Sequence, residues 1–334
     1  MQNKLAVLGA GSWGTALAIL AARNGYSTML WGHNPEYIES LKKTRLNQQY
    51  LPKAPFPDLL NVTPEIERVV TFADFLLIAV PSHAFKKTLT KITPYLVESH
   101  KISWATKGFG NDSGELLHQT VANTFGTEIC CAALSGPTFA SEVAANLPTA
   151  ITIASANSFF SEQLAEIFRN PRFRVYTSTD IIGVQIGGAV KNVLAIAAGI
   201  ADGLGFGANT RAALITRGLT EIQRLGQKLG GKPESFVGLA GLGDLILTCT
   251  DNQSRNRRFG LAIGQGQTQE SAKKDIGQEI EGIATAKNTY RLAKQHAIEM
   301  PIVEQVYNVL YNNLEPTIAV QNLLLREQKA EIIS

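Results

Sequence analysis

The sequence predicts an α/β domain with a mostly parallel sheet, followed by an all-α domain. Three observations lead there. A glycine-rich loop separates a strand-like from a helix-like segment at the start of the chain. Strand-like and helical runs then alternate through the first half. Past about residue 180 the strand-like runs fade, and long Ala/Leu/Ile/Gly segments with helical spacing replace them.

Leu5-Ala6-Val7-Leu8 reads as a short buried strand, and Thr15 to Arg23 as a helix of small residues. Between them lies Gly9-Ala10-Gly11-Ser12-Trp13-Gly14, a G-x-G-x-x-G pattern. In a dinucleotide site the first glycine permits the tight turn and the second lets backbone approach a pyrophosphate. The third lets helix and strand pack closely. The helix N-terminus then turns its unpaired N–H groups toward the phosphates. The uncharged stretch from Leu5 to Ala22, with Lys4 before it, also has the outline of an export signal. Its three central glycines count against a continuous apolar helix, because each costs about 0.5–1 kcal/mol relative to alanine. A glycine turn that binds nothing is the plainer alternative.

Further strands are expected at Thr28 to Gly32, Phe75 to Val80, Lys101 to Thr106 and Ile129 to Leu134, with later ones at Thr149 to Ala154 and Phe173 to Thr177. Alternation with helices implies a Rossmann-type dinucleotide-binding domain over residues 1–180, its sheet covered on both faces. Ligands of such sheets bind beyond the carboxyl ends of the strands, which singles out Pro81-Ser82, Lys107 and Gly136-Pro137. Residues 181–334 form the helical domain, with a last helix expected near Thr317 to Lys329. A chain of 334 residues exceeds one ordinary core, so two domains agree with length alone.

Composition narrows the function. The chain is 45% hydrophobic and 18% charged, the profile of a globular protein without stable membrane insertion. A net charge of +3 suits anionic small molecules and is too small for a nucleic-acid footprint. Cys130, Cys131 and Cys249 make no disulfide framework and are expected as buried thiols in a reducing cytoplasm. The five histidines are scattered, without metal-ligand spacing.

Which dinucleotide is bound depends on the end of the second strand. The NAD pattern places an acid there to hold the ribose 2′-hydroxyl. Here the sequence is Trp31-Gly32-His33-Asn34-Pro35, and Glu36 comes late. His33 beside a 2′-phosphate favours NADP over NAD; otherwise it is a solvated loop residue.

Lys191 is the only charged residue between Asp180 and Asp202, inside a segment apolar on most faces. Such a helix is buried, and an unpaired buried ammonium is costly. The lysine therefore borders a cavity or has an acidic partner, and desolvation moves it toward acid–base work. The bland alternative is a lysine whose stem is buried and whose head reaches water. Gly238 to Asp244 is a glycine-rich run ending in a carboxylate, fit to cap a helix or to partner Lys191. Ser254-Arg255-Asn256-Arg257-Arg258 offers guanidinium forks to a phosphate, or is only surface charge.

Taken together, these pieces resemble NAD(P)-dependent glycerol-3-phosphate dehydrogenase in its bacterial, soluble form. The stretch from Gly188 to Asn209, GAVKNVLAIAAGIADGLGFGAN, carries most of the resemblance. GAGSWG, AVPS, ATKG, LSGPTFA, GLGD and SRNRRFG follow in the family's order over essentially the whole chain. The resemblance implies hydride transfer between NAD(P)H and dihydroxyacetone phosphate, giving sn-glycerol 3-phosphate for phospholipid synthesis. It implies that Lys191 exchanges the proton at the C2 oxygen, that Lys107 polarises that oxygen, and that Asp244 orients Lys191. Gly136, Thr138, Ser254, Arg255 and Asn256 would join these three in holding substrate. Gly9, Gly11, Ser12, Trp13, Gly14, His33, Lys107, Ala140, Arg255 and Glu281 would contact the cofactor. A cytoplasmic homodimer is also implied. The rivals are a two-domain hydroxy-acid dehydrogenase, which would want a carboxylate clamp, and a non-catalytic NADP sensor, which would not need a lone lysine on an apolar helix.

Overall fold

The computed structural model describes residues 4–110 and 114–327. One sheet dominates it, formed by β1 (Lys4–Leu8), β2 (Ser27–Trp31), β3 (Leu60–Thr63), β4 (Phe75–Ile78), β5 (Lys101–Trp104), β6 (Cys131–Ser135), β7 (Thr149–Ala154) and β8 (Phe173–Ser178). The strand order is β3-β2-β1-β4-β5-β6-β7-β8. All neighbouring pairs are parallel except β6–β7, where Leu134 stands opposite Ile153. Around the sheet run α1 (Ser12–Arg23), α2 (Pro35–Thr44), α3 (Ile66–Phe72), α4 (Ser82–Ile92), α5 (Leu117–Phe125), α6 (Ala140–Ala144) and α7 (Ser158–Phe168). The remainder is helical: α8 (Ile181–Gly203), α9 (Ala208–Lys228), α10 (Pro233–Val237), α11 (Asp244–Thr250), α12 (Arg255–Gly264), α13 (Gln269–Ile276), α14 (Glu281–Gln295), α15 (Pro301–Tyr311) and α16 (Pro316–Leu324).

The predicted α/β-then-helical architecture is what the chain adopts. Several details differ. α1 begins at Ser12, three residues before the helix read from the sequence, because Gly14 lies within its first turn. β3 was not anticipated; it is a four-residue edge strand behind the proline-bearing segment 52–57. α16 ends at Leu324 and residues 325–327 are not helical, so the expected helix is shorter than predicted; its last two residues, 328 and 329, lie outside the described residues. Cys130 and Cys131 are half-buried rather than buried, and only Cys249 is fully enclosed. Burial and the neighbouring Cys130 thiol push Cys131 up to about 11, so it stays protonated at neutral pH.

Two compact units emerge. One extends to Ala189 and includes Gly226–Leu247; the other comprises Val190–Leu225 and Thr248 onward. In the first, the apolar strands fill both faces of the sheet. One face packs Leu5, Val7 and Leu30 with Leu17 and Leu20 of α1. The other packs Ala6, Leu76, Ile102 and Trp104 with Val184 of α8 and Ala240 of the wide helical turn Leu239–Gly243. Asp180 fastens this second face. Its carboxylate accepts from Gly183 N–H at the start of α8 and from Lys232 N–H just before α10, both at 2.8 Å.

In the second unit α8 and α12 pack backbone to backbone. A Cβ placed at Gly199 would lie 2.1 Å from Arg257 O, and one at Gly260 would lie 2.1 Å from Ile196 O. α8 is long and apolar enough to cross a membrane by composition, with mean hydropathy 1.6, but 89% of that stretch is buried within the protein. It is a core helix.

Glu221 of α9 is 2% exposed, and its carboxylate accepts from Ile302 N–H at 2.7 Å and Val303 N–H at 3.2 Å, in the first turn of α15. Burial pushes its pKa up to about 7, while those N–H groups, Arg224 and Arg326 pull the other way. Between the ordinary carboxylate pKa and 7 the folded state binds more protons than the unfolded chain. This group's stabilising contribution is therefore complete at low pH and is lost as pH rises through 7. The shift corresponds to roughly 3 kcal/mol. Glu221→Gln, which cannot ionise, should flatten the decline in melting temperature between pH 5 and pH 8. An unchanged slope in the variant would mean that Glu221 is already ionised at pH 5.

Candidate active site

The loop after β1 is built for close approach. Gly9 has φ +129°, and a Cβ there would fall 2.5 Å from Ala79 O. A Cβ at Gly14 would fall 2.0 Å from Gly9 O. Protein packing thus demands glycine at both positions. Gly11 differs: a Cβ there would meet no protein atom within 4 Å. Gly11 is also the N-cap of α1, and no side chain caps the helix or puts an acid in its first turn. The indole N–H of Trp13 is buried with no acceptor among the described residues. Open space at the second glycine, uncapped helix amides and an unmet indole donor all fit a pyrophosphate-bearing cofactor. His33 is exposed just past β2, next to Asn34, whose side chain caps α2 by accepting from Tyr37 N–H.

Lys107 lies beyond the carboxyl end of β5, and Gly136 beyond that of the adjacent β6. Lys107 Nζ donates to Gly136 O at 3.1 Å and to Asp244 Oδ2 at 2.7 Å. The Lys107 side chain is 16% exposed and that of Asp244 only 1%. Asp244 opens α11, directly after the Leu239–Gly243 turn. A carboxylate buried this deeply needs its cation, and the pair fixes where the ammonium points. Asp244 thus anchors the Lys107 head group. Thr138 Oγ1 donates to Gly136 O at 3.2 Å, and Ala140 opens α6 close by in sequence. Four predicted residues, Lys107, Gly136, Thr138 and Asp244, therefore form one hydrogen-bonded group in the sheet unit.

The second unit holds the remainder. Lys191, on α8, is 6% exposed, and its Nζ donates to Thr248 Oγ1 at 2.8 Å. Its head does not snorkel to water. Asn256 Nδ2 donates to Asn192 Oδ1 at 2.9 Å, and Asn256 Oδ1 accepts from Gly282 N–H at 2.9 Å. That links the predicted substrate segment to the first turn of α14, which Glu281 opens. Ser254 is the N-cap of α12, its hydroxyl accepting from Arg257 N–H at 3.2 Å. Arg255, half-buried, is the first residue of that helix.

Sequence reasoning missed Thr248 and Asn192. Thr248 follows Asp244 by four residues, one helical turn on, which was the available signal. Asn192 adjoins Lys191 in sequence, and only its partner 64 residues away gives it a role.

Sequence models described as the N-terminus and C-terminus of NAD-dependent glycerol-3-phosphate dehydrogenase match residues 4–161 and 180–321. A relative from Colwellia psychrerythraea (strain 34H), named glycerol-3-phosphate dehydrogenase (NAD(P)+), is 54% identical over 332 residues, 99% of each chain. The chain belongs to the glycerol-3-phosphate dehydrogenase family. A relative of the same name from Methylococcus capsulatus is also 54% identical over 332 residues. The crystal structure of a glycerol-3-phosphate dehydrogenase from Coxiella burnetii superposes with a TM-score of 0.95 at 49% identity, covering 97% of this chain and 99% of that one. The family match extends over both units.

Proposed function

We propose that this chain is an oxidoreductase that interconverts dihydroxyacetone phosphate and sn-glycerol 3-phosphate with NAD(P)H. The dihydronicotinamide, when bound, supplies hydride to the ketone carbon. Negative charge then grows on the C2 oxygen. The Lys191 ammonium stabilises that charge and hands over its proton, regaining one from water between turnovers. Thr248 holds the Lys191 head group. Lys107 polarises the same oxygen, and Asp244 keeps Lys107 aimed. Positioned acid–base help of this kind is worth about 10²–10⁴ in rate. Arg255 takes the substrate phosphate, so binding energy remote from the reacting carbon aligns the ketone. Gly9, Gly11, Ser12, Trp13, Gly14, His33, Ala140 and Glu281 bind the cofactor, with Lys107 and Arg255 reaching it as well. Gly136, Thr138, Ser254 and Asn256 complete the substrate site.

The observation that carries this reading is the enclosed Lys191 ammonium, held by a hydroxyl on an otherwise apolar helix. NADPH is the favoured cofactor, because β2 ends without an acid and His33 stands exposed there. A cytoplasmic homodimer supplying glycerol 3-phosphate to phospholipid synthesis completes the proposal. The test is consumption of NADH and NADPH, followed by absorbance, with dihydroxyacetone phosphate, with 2-keto acids and with no substrate. Only the first should be turned over, with the lower KM for NADPH. Arg255→Ala should raise the KM for dihydroxyacetone phosphate by about 10–100-fold, the value of a charged hydrogen-bond pair. An unchanged KM would remove Arg255 from the phosphate.

A further inference from the structure

We infer that Asp202 and Arg257 form a positioning clamp that sets the first turn of α12, and with it Arg255, where the substrate phosphate is held; this rests on the function proposed above. The sequence grouped Arg255, Arg257 and Arg258 as one basic cluster, and the structure separates them. Arg258 is exposed, Arg255 is half-buried, and Arg257 is 7% exposed. All three nitrogens of the Arg257 guanidinium are engaged within the protein. Nη2 donates to Asp202 Oδ2 at 2.5 Å, Nε donates to Cys249 O at 3.1 Å, and Nη1 donates to Asn252 Oδ1. One planar group thus ties α12 to the last turn of α8, to α11 and to the turn between α11 and α12. A guanidinium occupied in this way has no fork left for a phosphate.

The main chain of the same residue is fixed just as firmly. Arg257 N–H donates to the Ser254 cap, and Arg257 O lies against Gly199 of α8. Asp202, its side chain 9% exposed, is held from the other side by Arg211 of α9, whose Nη1 donates to both carboxylate oxygens at 2.9 Å and 2.8 Å. A carboxylate between two guanidiniums, largely out of water, adds little stability over an apolar filling of the same volume. It does impose direction, because each hydrogen bond fixes an angle as well as a distance. Direction is what a two-residue offset requires: Arg255 precedes the clamped residue on the same helical turn, so any rotation of that turn swings its side chain.

Arg257→Lys keeps the charge and removes the fork, since one ammonium on a flexible stem cannot reproduce three diverging contacts. Asp202→Asn keeps the shape and removes the charge. Steady-state reduction of dihydroxyacetone phosphate at saturating NADPH is expected to show the KM for substrate raised about tenfold or more in both variants. kcat should stay within about threefold. In an Arg255→Ala background, Arg257→Lys should add less than about twofold to the substrate KM, because its effect is transmitted through Arg255. Amide hydrogen exchange supplies a readout independent of turnover. The amides of residues 255–258 should exchange about tenfold faster in Arg257→Lys, with those of α9 and α15 unchanged. Unaltered exchange, or the same KM increase with and without Arg255, overturns the clamp. An unmodified chain that fails to reduce dihydroxyacetone phosphate overturns the functional reading, and the clamp's claim on substrate with it. An active parent whose Arg257→Lys variant keeps its substrate KM overturns the clamp alone.

Discussion

Lys191→Met should lower kcat for dihydroxyacetone phosphate reduction by about 10³-fold or more, while NADPH affinity changes by less than about threefold. Methionine keeps most of the lysine stem's volume and carries no charge, so the helix loses its ammonium without gaining a large cavity. Thr248 loses its Nζ donor but keeps a rotatable hydroxyl, which limits the structural cost. The chemical cost has no such relief. Charge developing on the substrate oxygen would lose its proton source and one of the two ammonium groups proposed to face it. Turnover by Lys191→Met within tenfold of the parent would dismiss Lys191 from the reaction. An unchanged melting temperature separates this outcome from a failure to fold, since the glycine loop belongs to the other compact unit and NADPH binding there would not report on the unit that carries Lys191.

Gly199→Ala carries the second large effect, expressed in stability. The added methyl carbon would sit 2.1 Å from Arg257 O and 2.7 Å from Leu261 N, both backbone atoms. A side chain in the way can rotate aside; a carbonyl inside a helix cannot. The two helices would have to separate, and Gly260, which faces Ile196 O at the same crossing, would lose its fit as well. Overpacking commonly costs about 1–3 kcal/mol, and a backbone-to-backbone clash belongs at or above the top of that range. Calorimetry should show a clearly lower melting temperature, with the substrate KM raised through displacement of α12. A variant that melts with the parent would mean that α8 and α12 do not approach so closely in solution.

Much of the sheet was legible because parallel strands buried on both faces are written as unbroken apolar runs. Leu5 to Leu8 and Phe75 to Ile78 are of that kind. β3 was not, since Leu-Asn-Val-Thr at an edge carries only two strongly apolar residues. The reversal of β7 against β6 was also hidden, because strand direction leaves no trace in composition. The same contrast holds in the site. Lys191 stood out by its apolar surroundings, and Lys107 by its place after a strand. The contact between Lys107 and Asp244 was not readable, since 137 residues separate them. Nor was the difference between Arg255 and Arg257, which share a residue type and a neighbourhood and differ only in what surrounds the guanidinium.

The return of Gly226–Leu247 to the sheet has a consequence for taking this protein apart. A break after residue 180 would leave Leu76, Ile102 and Trp104 on one piece and their companions Val184 and Ala240 on the other. Each fragment would then bear a raw oily scar. Either one made by itself should clump, whereas the two made side by side in one cell should reunite as a nicked but complete molecule.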